Sequence, residues 1–416
     1  MIDFKKNYYM SSVVWVGRGL VLGILIGFFC YILTRAVTLA NIFRTNHPFI
    51  LLLMPIAALC IAFVNKISGD KVTKSGDIAM DIINERVIAK TNPGKITKNK
   101  SVSPMLGPVI FITTLITHLV GGSNGKEGAG VQIGTSLACL QAKLERKLFN
   151  RQYDSNEMET WLIVGAGGAF GALFNAPITG TMFGLHVSFP NSNRFDSWVP
   201  CLSCNIASCY VSHLLGASVI EIPNIQSIEV TIPIILICMV LGIIAGLIGR
   251  LFIYTTHFFS QLKKKFSSNA YIRAIIFGTI IAIVAISVQL LTGESWYNGM
   301  SLELLTNAKW YSFLVKIVLT ALATAGRFSG GEVVPALVIG ASAFRPLATF
   351  LPIPAATLAM LGSVGVLSGS SNLPLVGTLM AFEVFGFTNP LLIFIVCSFS
   401  YISSGNFSIY QHQLKI

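Results

Sequence analysis

Residues 121–134 read Gly-Gly-Ser-Asn-Gly-Lys-Glu-Gly-Ala-Gly-Val-Gln-Ile-Gly, which places one carboxylate, Glu127, at a glycine-rich break where a helical pattern begins. A helix start leaves about four backbone N–H groups without intrahelical partners and carries roughly half a positive charge. It therefore holds an anion without a buried cation beside it. A tethered carboxylate there competes with a free anion for the same donors, and it can also take up a proton. Those two abilities together make a gate or a coupled exchanger. A second Gly-Glu step, Gly331-Glu332, opens another apolar pattern at Val333.

The elements that must position these carboxylates lie in a membrane. Over 416 residues the chain is 53% apolar and 11% charged, with a mean hydropathy of +0.72, far from the composition of a soluble domain. Apolar stretches suited to crossing a ~30 Å hydrocarbon layer lie near 13–34, 48–65, 104–120, 198–217, 230–258, 271–292, 311–325 and 389–403. Four more, near 127–142, 160–190, 332–350 and 354–386, carry Gly, Pro and polar residues at their starts or middles. Discontinuous helices lining a transport site have that pattern. The sequence predicts an all-α polytopic membrane protein, one transport domain over 1–416 without a soluble regulatory domain. Met1–Met10 is polar and the apolar segment after it is of membrane length, which argues against a cleaved signal peptide.

The net charge of +12 invites a nucleic-acid reading, but the basic residues sit between apolar segments and not on a soluble basic face. The 66–102 connection holds Lys66, Lys71, Lys74, Arg86, Lys90, Lys95, Lys98 and Lys100, and Lys263, Lys264 and Lys265 follow the 230–258 segment. The excess of positive charge assigns both to the cytoplasm, with a cytoplasmic N-terminus. Of eight cysteines only Cys201, Cys204 and Cys209 cluster, and no second ligand pair of zinc spacing accompanies them, so packing is expected there and no metal or cofactor.

An internal repeat organises the chain. At an offset of 197, Gly165, Gly168, Asn175, Pro177, Gly180, Thr181 and Val187 match Gly362, Gly365, Asn372, Pro374, Gly377, Thr378 and Val384. Transporters often build their substrate site between two such halves, here about 12–217 and 229–411. Glu127 and Glu332 stand 205 residues apart, each followed by an Ile-Gly pair, Ile133-Gly134 and Ile339-Gly340. On that spacing the two helix-start carboxylates are counterparts.

Gly-Lys-Glu-Gly at 125–128 resembles the gating-glutamate motif of CLC anion channels and transporters, and Gly331–Pro335 stands where that family has its second anion-binding loop. The resemblance runs from about 12 to 411. Thr117–Ser123 and Gly330–Pro335 are most similar to the family's fluoride-exporting branch, as are Glu332 before Val333 and the lack of an acid near Val187, where His186 precedes. The resemblance implies the CLC fold, with inverted repeats whose broken helices meet at a midplane anion site. It also implies a homodimer in the plasma membrane with one pathway per subunit, exchanging fluoride for protons. Gly125, Lys126, Gly128, Gly331, Glu332, Val333 and Val334 then surround the anion. The late tyrosine of the family's inner gate corresponds to Tyr410. The family's early Gly-Ser-Gly-Ile-Pro loop is here Lys74-Ser75-Gly76-Asp77-Ile78, so either Ser75 or Gly76 takes its central position. Val334 replaces a threonine hydroxyl common in the fluoride branch.

Fluoride is small and tightly hydrated, so its lost water must be replaced by short, directed donors. Backbone N–H groups near Gly128 and Val333 and the Tyr410 hydroxyl would supply these, at about 1.5–3 kcal/mol for each charge-assisted bond. Neutral Glu127 would admit fluoride and return with a proton as fluoride leaves. His118, Asn124 and Glu383 are further candidates, with ordinary roles as a packed histidine, a turn former and, with His186, a polar partner between broken helices. A passive anion channel and a chloride/proton exchanger are the rival readings. A membrane-embedded enzyme lacks support, since no His-Glu-x-x-His or Gly-x-Ser-x-Gly motif occurs.

Overall fold

The computed structural model describes the backbone of the chain outside residues 1, 70–71, 73–77, 85–101, 151–154, 191–193, 218–219, 221, 223–224, 267–268, 294–306 and 415–416. The first half contains α1 (Ile2–Asn46), α2 (Met54–Ser68), α3 (Leu106–Leu119), α4 (Glu127–Phe149), α5 (Ser155–Phe174), α6 (Pro177–His186) and α7 (Phe195–Leu214). The second contains α8 (Ile232–Phe266), α9 (Ala270–Thr292), α10 (Ser312–Ala325), α11 (Val333–Phe344), α12 (Ala355–Ser371), α13 (Pro374–Phe385) and α14 (Pro390–Ser404). Among the described residues, four helices within Val13–Asn46, Pro48–Ser68, Ile232–Leu262 and Ala270–Thr292 are long and apolar enough to cross a membrane. Three stretches expected to span, near 104–120, 311–325 and 389–403, form helices of 14, 14 and 15 residues, short of the ~20 that a crossing needs.

Packing repeats between the halves with a shift of seven helices. α1 lies on α3, α4, α5 and α7, and α8 lies on α10, α11, α12 and α14. α4 packs on α5 as α11 does on α12, and α5 packs on α6 as α12 does on α13. Across the halves three helices meet their own counterparts: α2 meets α9, α4 meets α11, and α6 meets α13. Counterparts that touch each other lie about a twofold pseudo-axis, the arrangement expected of paired repeats at a transport site.

The sequence signals for the breaks are local. Asn175 and Asn372 take left-handed backbone angles, φ 53° and 59°, which asparagine tolerates better than most residues. Pro177 and Pro374 then occupy the start of the next helix, where a missing N–H costs nothing. Close crossings are built alike: a Cβ added to Gly134 would meet the Gly165 carbonyl, and one on Gly340 the Gly362 carbonyl. Ser208 and Ser400 each donate to a buried carbonyl of the neighbouring helix, Gly168 and Gly365, at 2.7 Å.

Candidate ion-transport site

From α3 the chain runs through Val120–Lys126 into α4, and from α10 through Gly326–Glu332 into α11. The two connections meet backbone to backbone. Gly125 N–H donates to the Gly331 carbonyl at 2.7 Å, and Gly331 N–H donates to the Gly125 carbonyl at 2.5 Å, an isolated antiparallel bridge. A Cβ on Gly128 would lie 2.6 Å from Gly331 Cα, and one on Gly331 would run into Gly128 N. Only glycine permits this approach, which brings two helix starts, each with its unpaired N–H groups, to one place.

The bridge fixes the register between halves, and it differs by one residue from the pairing of carboxylates. Gly125 pairs with Gly331, an offset of 206, and the first helical residues Glu127 and Val333 obey the same offset. The counterpart of Glu332 is therefore Lys126: the two are N-caps of α4 and α11, and their carbonyls accept from Gly130 and Ala336 at 2.9 Å. The expectation that Glu127 and Glu332 are counterparts is corrected on this point.

Glu127 is 3% exposed, and its Oε2 has no hydrogen-bond partner. The carboxylate folds back over Gly125, whose same face is crowded by Val334 and Pro335 of α11. Near it in the chain, both ring nitrogens of His118 and the Oδ1 of Asn124 are buried without partners. A buried polar atom left unpaired costs about 1–3 kcal/mol, so such a group of atoms marks a place kept for something other than protein.

Cations surround this connection. Lys126 Nζ donates to Thr34 Oγ1 of α1 at 3.1 Å. Lys316 of α10, with no exposed surface, donates to Ser123 Oγ at 2.9 Å, and Ser123 shares a further hydrogen bond with Thr320. Arg44 of α1, 2% exposed, donates to the His118 carbonyl at 2.7 Å. His118 lies within Coulombic range of all three. An acid adjoins the bridge as well. Asn124 Nδ2 donates to Thr324 Oγ1 at 3.3 Å, and Thr324 donates to Glu332 Oε1 at 3.1 Å. Tyr410 lies within Coulombic range of Glu332, with its ring set edge-on against Phe183 at 6.1 Å.

The segment after α14 ties the two halves together. Gln413 Nε2 donates to the Val187 carbonyl at 3.1 Å and to the Ser371 carbonyl at 3.0 Å, and Leu414 N–H donates to the Ser188 carbonyl. Glu383 stands apart from the bridge, in the α6–α13 contact. Its carboxylate accepts from Ile178 N–H, Thr179 N–H and the Thr179 hydroxyl at 2.9, 2.6 and 2.6 Å, capping α6 from the other half. His186 Nδ1 pairs with the Pro190 carbonyl at 2.8 Å.

The structure thus brings Gly125, Lys126, Glu127, Gly128, Gly331, Glu332, Val333 and Val334 together, with His118 and Asn124 adjoining and Tyr410 within Coulombic range of Glu332. Ser75 and Gly76 lie outside the described residues. Lys316, Arg44, Thr324 and Gln413 escaped the sequence reading. Lys316 had a signal, because an ionisable residue inside an apolar segment is a functional candidate by default; Thr324 and Gln413 had none. Among the described residues no cluster of metal-ligating side chains is found, and Cys201 directs its thiol to the carbonyls of Ile163 and Thr181.

The profile of the family described as "Voltage gated chloride channel" matches residues 85–405. The chain belongs to that family. Among CLC relatives, a chloride/fluoride channel protein of Pseudomonas syringae pv. tomato is 28% identical over 99% of this chain and 90% of its own length. The H(+)/Cl(-) exchange transporter ClcA of Salmonella arizonae is 26% identical over 67% of this chain and 61% of its own. The crystal structure of a CLC-type fluoride/proton antiporter superposes with a TM-score of 0.87 at 26% identity, covering 97% of this chain and 98% of that one. The predicted all-α, polytopic CLC fold is the fold observed.

Proposed function

We propose that this CLC protein is a secondary transporter that exports fluoride in exchange for protons, with Glu127 as gate and proton carrier. The observation that carries the reading is the buried Glu127 carboxylate, with one oxygen unpartnered, at a junction of two helix starts held together by the Gly125–Gly331 bridge. An anion there replaces its hydration with backbone N–H groups of α4 and α11, and the carboxylate leaves the same ground when it is protonated. Lys126, Lys316 and Arg44 draw an anion toward the bridge from one side. Glu332 on the other side repels it until it shares a proton, which gives a second carboxylate a part in the exchange without an acid at Val187. Similarity to the fluoride/proton antiporter structure supports fluoride as the ion. The unit that transports spans both halves, sits in the plasma membrane and works as a homodimer with one pathway per subunit.

Purified protein in liposomes tests this. Fluoride efflux down a gradient is expected to drive protons inward, with chloride failing to substitute. Anion flux without a matching pH change makes the protein a channel, and a chloride-driven pH change makes it a chloride/proton exchanger.

A further inference from the structure

One cavity outside the ion path, about 200 Å³ in volume, lies between α2, the first turn of α9 and the turn that follows α10. Lys66, Arg273 and Arg327, one from each of these elements, line it, and among the described residues no acidic side chain does. Lys66 is held in place, with its ammonium 5.1 Å from the centroid of the Tyr271 ring, a cation–π geometry. Asn269 accepts from Tyr271 N–H at the α9 start, so the helix end on this wall adds its positive pole.

Arg327 carries a second sign of purpose. Phe328 N–H donates to the Ala323 carbonyl and Arg327 N–H to the Thr324 carbonyl, which makes the end of α10 a Schellman turn. Its left-handed position, φ 62°, is filled by Arg327, where glycine is usual. A long cationic side chain kept at a position that disfavours it, with the cavity beside it, is better explained by what it binds than by the turn it makes.

Location and size narrow the occupant. Lys66 lies two residues before the end of one membrane-length helix and Arg273 three residues after the start of another, so both stand at the same membrane–water boundary. Phe63 and Ile67 on α2 and Ile272 and Ile275 on α9 expose their side chains beside the cavity, a surface suited to acyl chains. The volume is below the ~300–1,000 Å³ of pockets that enclose a drug-sized ligand, which fits a phosphate headgroup. In the sequence Lys66 opens the lysine-rich 66–102 stretch, whose positive charge suits the side on which anionic lipids attract basic residues.

We infer that this cavity binds the phosphate group of an anionic membrane lipid, and that its occupancy steadies the turn that builds the ion site. The turn runs from the cavity to the bridge in five residues. Gly326 is packed against Phe277 of α9 and Phe328, and Phe328 also reaches Gly122. Ser329 N–H donates to Thr117 Oγ1, and Gly331 closes the bridge to Gly125. A lipid phosphate held by Arg327 restrains this run from its outer end.

The test is thermal unfolding of the purified protein in detergent with added phosphatidylglycerol, phosphatidylcholine or inorganic phosphate. Phosphatidylglycerol is expected to raise the melting temperature and phosphatidylcholine to leave it unchanged. In the Lys66→Gln/Arg273→Gln/Arg327→Gly protein, binding is expected to weaken by about tenfold or more. Arg327→Gly alone relieves the left-handed position, so that variant should match or exceed the parent in melting temperature without lipid while losing part of the lipid-induced gain. An undiminished gain in the triple variant overturns the inference. An equal gain from inorganic phosphate overturns the lipid source, and a gain from chloride or fluoride but not phosphate makes the cavity an ion vestibule and overturns the whole. The link to transport rests on the proposed function and is read separately, as faster fluoride flux in phosphatidylglycerol than in phosphatidylcholine liposomes. Equal flux in both overturns the link, and a protein that moves no fluoride fails on function while the melting assay still decides binding.

Discussion

The starts of α4 and α11 have one backbone plan and opposite chemistry. Each follows a connection closed by the Gly125–Gly331 bridge, and each begins one residue after an N-cap whose carbonyl accepts the first helical hydrogen bond. At the N-cap, α4 has Lys126 and α11 has Glu332; at the first helical residue, α4 has Glu127 and α11 has Val333. Two residues before each connection begins, the pair is His118 and Thr324: His118 lies in the field of Lys126, while Thr324 donates to Glu332. A symmetric scaffold thus carries an asymmetric charge pattern. Two identical helix starts would hold an anion equally from either side; under the proposed function, the lysine at one start and the carboxylate at the other would give the passage a direction and a second site for a proton.

The largest effect is expected where the two starts touch. Gly331→Ala puts a Cβ into the Gly128 backbone, an overpacking cost of about 1–3 kcal/mol or more at a contact between two backbones that cannot yield. Loss of the monodisperse protein on size exclusion, or of all fluoride flux where it survives, is the expected result; flux at the parent rate would show that the halves do not need the bridge. Next is Glu127→Gln, which keeps shape and removes the titratable group. Proton movement is expected to fall to background in the liposome assay, and coupling that persists at the parent rate moves the proton role to another residue.

Much of this was legible in the residues. The helix breaks at Asn175 and Asn372, the glycine-rich starts and the membrane setting follow from turn chemistry, backbone donors and composition, each a local property. The register across the halves did not come through, because pairing Glu127 with Glu332 by likeness of charge gives an offset of 205. An offset of 206 instead aligns Thr114, Ser123, Gly125, Ile133, Gly134 and Ser136 with Thr320, Ser329, Gly331, Ile339, Gly340 and Ser342. The fold repeats backbone positions, and the side chains on them differ. Thr324 and Gln413 were illegible for another reason: their partners, Glu332 and the carbonyls of Val187 and Ser371, are set by how helices and the last segment come to rest.

The acid on the α11 side separates scaffold from chemistry. Glu332→Ile is expected to lower the preference for fluoride over chloride several-fold. Glu383→Gln, which weakens the cap on α6, should lower the melting temperature and leave that preference in place. If the two variants shift the preference alike, Glu332 is scaffold and the asymmetry has no bearing on the ion.

The smallest expected effect tests whether the Thr324 hydroxyl acts through Glu332. Thr324→Val keeps the volume and removes one hydrogen bond to the carboxylate, a change of about 1 kcal/mol, or about fivefold in whichever step Glu332 limits. The same substitution breaks the contact from Asn124, so a lone drop in flux is ambiguous. A double-mutant cycle resolves it. If Thr324 works by positioning the Glu332 carboxylate, Thr324→Val has no further effect on fluoride preference once Glu332→Ile is present. If the two effects add, the hydroxyl acts on the ion or on Asn124 directly, and the pairing of a hydroxyl with an acid on one side against a histidine with a lysine on the other reflects packing and not transport.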